Sequence, residues 1–342
     1  MVKEFMTSRE RVFACINEKE YDRPPVISPT SVATLDSCSI AGVSFKDVHL
    51  DADKMAALAG ISYEQLGFDT VAPYFSVVQE AAAFGCQIDW GNGDAMPNQK
   101  STVFQDPDEF KMPEDLLDRL PLRTVIEAIK LLRRKYGNDV VIVGKVMGPW
   151  TLSYHLHGVQ DFLVETITEP EMAHAFLDRF KDISLKFAEA QFEAGADVLT
   201  WADHATADLI GPGAYRDFLL PVHKKINEKL KGRTIILHCC GNTYDRIEYF
   251  AEAGFPIFHF DSKNDIKKIV DSAGNMKLTG CVNNPEVLLK GTKEDVARQV
   301  NEILDAGIRL ISPECAVPVK VRNENLRAIR EAVVKDLNIT SR

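Results

Sequence analysis

Three residues in this chain have the types and spacing for metal chemistry: His238, Cys240 and Cys315. The first two end a short apolar run, Ile235-Ile236-Leu237, and Gly241 follows them. On an extended backbone, residues two apart share a face, so His238 and Cys240 point one way and Cys239 points the other. An imidazole nitrogen and a thiolate are ligands that a tetrahedral zinc ion takes. Cys315 would be a third, and it too follows an apolar run, Ile308-Arg309-Leu310-Ile311. The competing reading is packing, because free cysteine is among the most buried residue types and is usually inert. As a site, one nitrogen and two sulfurs make the ion a weaker Lewis acid than three neutral histidines would. Such a site still lowers the pKa of a bound thiol. The chemistry that suits it is alkyl transfer to sulfur, with hydrolysis by metal-bound water the lesser use.

Residues from such remote positions need a scaffold that gathers strand ends. Thr7-Ser8-Arg9-Glu10 has the spacing of a capping box and opens a helix carrying Val12, Phe13 and Ile16. Short apolar runs then recur as strands: Val26-Ile27, residues 69–74, 140–143 ending at Gly144, 197–201, 235–237, 257–260, 277–282 and 308–311. Helical spacing fills the gaps, as in residues 51–66 and in Leu122, Val125, Ile126 and Ile129. Ala194-Gly195, Ala253-Gly254 and Ala306-Gly307 each close a helix before a strand, where glycine supplies a left-handed cap. Eight strand–helix units predict an α/β fold, a (β/α)8 TIM barrel. The expected organisation is one domain over residues 1–342, with an N-terminal helical extension (1–25) and an insertion after the second strand (75–118) that has some hairpin character. A doubly wound open sheet is the alternative. No Gly-x-Gly-x-x-Gly follows the first strand to favour it.

Composition narrows the function. The formal charge is −10 with no basic run, which argues against nucleic acid and anionic membranes as partners. There is no apolar signal core and no apolar run that could span a bilayer, so a cytoplasmic protein is expected. The seven cysteines are scattered, as reduced thiols or ligands would be.

The barrel sharpens the metal hypothesis, because barrel active sites lie at the carboxyl ends of the strands. The polar residues there are Asp203 and His204, His238 and Cys240, Asp261, Asn283 and Cys315. Asp261 is the expected fourth ligand, a carboxylate able to leave when substrate arrives, with Glu314 its competitor. Asp203 would assist thiol deprotonation, shape the pocket or form a structural pair with His204. His155 and His157 are expected on the surface or in a loop. His259 is expected to be a satisfied core histidine and Cys281 to be packing.

A resemblance runs over nearly the whole chain. Its residues are the Arg-Glu-Arg-Val opening, Asp22-Arg23-Pro24-Pro25-Val26, the Gly148-Pro149 loop, 193–197, His238-x-Cys240-Gly241-Asn242 and Cys315. Together they resemble the uroporphyrinogen decarboxylase superfamily and, within it, the methylcobamide:thiol methyltransferases of methanogen type. The resemblance implies a (β/α)8 barrel and a zinc site of His238, Cys240 and Cys315, with Asp261 where that family places an acidic residue. It also implies a partner protein that carries a methyl-corrinoid and docks at the barrel mouth. A small-molecule thiol, such as coenzyme M, would replace the weakest zinc ligand and attack the methyl group as a thiolate. Glu314 and Ala316 around Cys315, and Cys239 between the first two ligands, depart from the family pattern. The acceptor is therefore left open between coenzyme M, another thiol and a folate.

Two other functions compete. A porphyrinogen decarboxylase needs arginines near the first strand to hold many carboxylates, and the loop 28–34 has none. A corrinoid- or metal-binding accessory protein without turnover would keep the site and lack the reaction.

Overall fold

The computed structural model describes residues 4–340, with side chains through residue 335. Seven strands run parallel in one sheet: β1 (Thr70–Val71), β4 (Val141–Met147), β5 (Val198–Ala202), β6 (Thr234–Cys239), β7 (Ile257–Phe260), β8 (Lys277–Val282) and β9 (Leu310–Pro313), in that spatial order. Two further strands, β2 (Ile88–Asp89) and β3 (Asn98–Gln99), pair antiparallel as a small hairpin within residues 75–118.

Val26 is the eighth stave and closes the barrel. It makes a parallel bridge to Ile311 on β9. The Ile27 N–H donates to Ile311 O at 2.8 Å, and the Asp69 N–H donates to Val26 O at 2.7 Å. This edge is one bridge long rather than a regular strand. Pro24 and Pro25 precede it, and proline has no N–H to give a ladder. The second stave is also shorter than its apolar run suggested. The stave that begins at Val141 is longer: it continues through Gly144 to Met147. There the Gln191 side chain bonds both the N–H and the C=O of Lys145, each at 2.9 Å.

Helices join the staves as the apolar spacing predicts, among them Ala52–Glu64, Leu120–Tyr136, Pro170–Ala194, Lys293–Asp305 and Asn323–Thr340. The Thr7 capping box is formed in full at the start of helix Ser8–Ile16. Gly195, Gly254 and Gly307 have φ of 115°, 91° and 91°, the left-handed turn that lets each helix reverse into the next strand.

Inside the barrel, Val141, Val143, Val198, Ile236, Ile257 and Leu310 form an apolar floor, which Val12 and Cys15 of helix Ser8–Ile16 plug from below. Two residues further along these strands stand Lys145, Thr200, His238, His259 and Ser312. Side chains alternate along a strand, so the floor's own period raises a polar layer above it. An ion cluster anchors the plug. Arg11 reaches Asp22 at 2.6 Å and Asp69 at 2.7 Å, and Arg23 reaches Asp69 at 2.8 Å, all buried. Asp69 also accepts the Val26 N–H at 2.9 Å. The Arg-Glu-Arg-Val and Asp-Arg-Pro-Pro-Val segments therefore dock the plug and position the closing stave. Among the described residues, no helix is long and apolar enough to cross a membrane.

Candidate metal centre

β6 ends in His238 and Cys239, and the chain turns at Gly241 immediately after Cys240. Gly241 has φ of 79°, and a Cβ there would run into the Thr206 hydroxyl, so the turn demands glycine. β9 ends at Pro313 and delivers Cys315 from three staves round the barrel mouth.

The three groups meet. His238 Nε2 lies 3.0 Å from Cys240 Sγ and 3.4 Å from Cys315 Sγ, and the two sulfurs are 3.1 Å apart. A tetrahedral zinc ion with ordinary bond lengths would hold such atoms roughly 3.5–3.8 Å apart. The donor set fits a zinc ion after an opening of up to about 0.7 Å, the most between the two sulfurs. The hydrogen bond to Cys315 pushes the Cys240 thiol well above its ordinary value. The bond from Cys240, with His238 adjacent, holds Cys315 well below its own. Cys239 is buried on the other face, as alternation requires, and burial pushes its thiol up to about 12.

The other expected site residues are held elsewhere. Asp261 lies outside the group of three. Its Oδ2 accepts the Gly241 N–H and its Oδ1 the Lys263 N–H, both at 2.9 Å, so it holds the turn that carries Cys240. Glu314 is buried and accepts the N–H groups of Ser262 at 3.0 Å and Asn284 at 2.7 Å, tying the end of β9 to the two preceding strand ends. The unusual residue before Cys315 thus fixes the loop that carries the cysteine. Asp203 is buried. It accepts the Thr151 N–H at 2.9 Å and binds His223 Nε2 at 2.8 Å, while His223 Nδ1 meets the Tyr215 hydroxyl at 2.8 Å. Its partner is His223, not His204. Asn283 caps the following helical turn through Glu286 N.

A cavity of about 140 Å³ opens beside the three ligand atoms, lined also by Thr30, Val77, Lys145, Met147, His155 and His204 among others. Neither His155 nor His157 is a surface residue. Both sit in a π-helical turn, Tyr154–Gly158, of a kind often found at functional sites. His157 is buried against Phe104 O and Glu165. His155 faces the cavity, and burial pulls its imidazole down to about 4. Burial, with His238 nearby, also lowers His204. His259 is half satisfied: Nε2 bonds Pro313 O at 2.7 Å, Nδ1 has no partner, and its ring lies 4.6 Å from that of His238. Cys281 is fully buried packing.

Lys145 is the cavity residue that strand reading missed, because Gly144 looked like the strand's end. Its ammonium donates to Ser76 O at 2.9 Å and lies 4.3 Å from the centre of the Tyr74 ring. Burial pulls it down to about 8, against the pull of nearby Glu80 and the two cysteines. Burial in turn raises the Glu80 carboxyl to about 7, and Glu80 is held by the Tyr74 hydroxyl and Met147 N.

A family model described as Uroporphyrinogen decarboxylase (URO-D) matches residues 7–335. The methylcobamide:CoM methyltransferase MtbA of Methanosarcina acetivorans is 31% identical over 329 residues, covering 95% of this chain and 97% of its own. The methylated-thiol–coenzyme M methyltransferase of Methanosarcina mazei is 30% identical, covering 96% and 89%. A solved methyltransferase from Methanosarcina mazei superposes with a TM-score of 0.93 at 30% identity, covering 97% of this chain and all of that one.

Proposed function

The chain belongs to the uroporphyrinogen decarboxylase family, and on that premise we propose that it is a methyltransferase. Its reaction moves a methyl group from a methyl-corrinoid to a thiol, at a zinc ion held by His238, Cys240 and Cys315. One observation carries this reading: an imidazole and two sulfurs, brought from two distant strand ends, stand within 3.4 Å of one another beside a cavity at the barrel mouth. The names of the relatives supply the donor and the class of acceptor, methylcobamide and coenzyme M.

The metal, when bound, contributes one thing: a thiol coordinated to it is deprotonated near neutral pH and stays nucleophilic. The remaining work falls to the chain. His238, Cys240 and Cys315 would hold the ion, and the acceptor would enter from the adjoining cavity. Asp261 would hold the turn that carries Cys240, through its bonds to the Gly241 and Lys263 N–H groups. Val77, Met147, Ala202 and Ala316 wall the cavity and limit water around the acceptor. A corrinoid carried on a partner protein would present its methyl group from the open side, and the barrel fixes the line of approach. The sulfur electron pair then forms the S–CH3 bond, the cobalt–carbon pair stays on the corrinoid as cobalt(I), and the thiol proton passes to solvent.

Among the described residues no arginine lines the cavity. That supports a small thiol over a substrate bearing many carboxylates. The test is zinc content measured together with methyl transfer from methylcobalamin to a panel of thiols. Zinc near one per chain with methylated thiol as product is the expected result. Zinc without transfer to any thiol would sink the reading in favour of a metal-binding protein that turns nothing over.

A further inference from the structure

We propose that Lys145 anchors an acidic group on the acceptor, so that the site selects short anionic thiols. The inference rests on the thiol reading above and adds the residue that sets specificity.

Lys145 is 4% exposed and enters the same cavity as the three ligand atoms. Its ammonium carries three donors, and the structure gives it one hydrogen bond, to Ser76 O. The Tyr74 ring face adds a cation–π contact and accepts no conventional hydrogen bond. One carboxylate, Glu80, stands near it and a second, Asp203, lines the same cavity, and both are already engaged. Glu80 is held by the Tyr74 hydroxyl and Met147 N. Asp203 is held by Thr151 N and His223. A buried cation with donors to spare is expensive unless an anion comes to it.

The cavity decides which anion. The cavity is small, about 140 Å³, so the part of the occupant that it takes in has few heavy atoms. His238, Cys240 and Cys315 lie on β6 and beyond β9, and Lys145 lies on β4. One molecule reaching both must carry its sulfur and its acidic group a few bonds apart. A neutral thiol would satisfy the ligand side and leave the ammonium unpaired. A charge-assisted bond commonly outweighs a neutral one by enough to change affinity tenfold or more.

The experiment is calorimetric titration of zinc-loaded chain with 2-mercaptoethanesulfonate and with 2-mercaptoethanol, in wild type, Lys145→Met and Lys145→Arg. A parallel arm titrates metal-free chain with ethanesulfonate, which has no sulfur for the metal. Wild type should prefer the anionic thiol by about tenfold or more. Lys145→Met should lose that preference and the binding of ethanesulfonate, whereas Lys145→Arg, which keeps the charge, should retain part of both. A structural role alone would weaken both thiols equally. Equal losses in Lys145→Met, or no preference in wild type, would overturn the proposal. If zinc or methyl transfer fails while ethanesulfonate still binds only chains with a cation at position 145, the anchor stands and the catalytic reading falls. If transfer proceeds and Lys145→Met keeps the preference, the anchor falls and the catalytic reading stands.

Discussion

Cys240 and Cys315 are 75 residues apart in the chain and 3.1 Å apart at their sulfurs. Packing alone does not sort two cysteines and a histidine to one point at a barrel mouth, and the sharpest consequence is metal stoichiometry. Wild type should hold about one zinc per chain. His238→Ala, Cys240→Ser and Cys315→Ser should each lose it, because removing one of three protein ligands leaves a site too weak to survive dialysis. Cys239→Ser should keep it, since that thiol is buried on the opposite face. Metal analysis after dialysis decides, and zinc retained in Cys315→Ser would remove the late ligand.

Asp261 touches the site through the Gly241 N–H, and a residue that orients a ligand typically changes metal affinity by about ten- to a hundredfold. Asp261→Ala should bind zinc with that loss and reach the same stoichiometry at excess metal. Asp261→Asn should stay within about threefold of wild type, because an amide oxygen still accepts the Gly241 N–H and orients the ligand. Competition with a chromogenic chelator measures all three proteins. An asparagine variant as weak as the alanine one would mean that the carboxylate itself coordinates.

Asp203 has the place of a catalytic carboxylate and the bonds of a structural one. With His223 buried against it at 2.8 Å, Asp203→Asn removes the charge from a buried pair and should destabilise the chain by about 2–4 kcal/mol. Zinc content should not change, because the Asp203 side chain bonds none of the ligands and its N–H bond to His238 O, at 3.0 Å, is kept in the variant. Denaturant unfolding and metal analysis on one preparation test both halves. Undiminished stability with lost methyl transfer would return Asp203 to the chemistry.

Much of this architecture was legible because apolar period and punctuation are local. The Thr7 capping box, the three Ala-Gly turns and the strand ends at His238 and Asp261 all follow from a few adjacent residues. What escaped was decided across space. Gly144 looked like a strand end. In the barrel it lies mid-strand, where a Cβ would press within 2.7 Å of Gln191 Oε1, the oxygen that receives the Lys145 N–H. Nothing near Gly144 announces a partner 47 residues on, so Lys145 was invisible as a cavity residue. His155 and His157 looked superficial because a π-helical turn has no short sequence signature. The carboxylates of Asp203 and Asp261 were legible as strand-end residues, but their partners, His223 and the Gly241 amide, were not.

The plug beneath the barrel should make the chain sensitive to acid. Burial alone would raise the Asp22 carboxyl, yet Arg11 and the Met6 and Phe5 amides outweigh it and hold Asp22 at about 2, below its ordinary 3.8. A carboxyl depressed in the folded state stabilises the fold fully above its unfolded value. That contribution is lost as pH falls through the folded value. For Asp22 the window runs from about pH 4 to about pH 2, and the contribution at neutral pH is on the order of 2 kcal/mol. Asp22→Asn leaves Arg11 short of a charged partner and should be the less stable protein at pH 7, by about 3 kcal/mol. Its stability should vary less below pH 4, so the gap to wild type should narrow by more than roughly 1 kcal/mol between pH 6 and pH 2.5. Urea unfolding at a series of pH values measures the gap directly. A constant gap would mean that Arg11 owes its burial to Asp69 and that Asp22 contributes only shape.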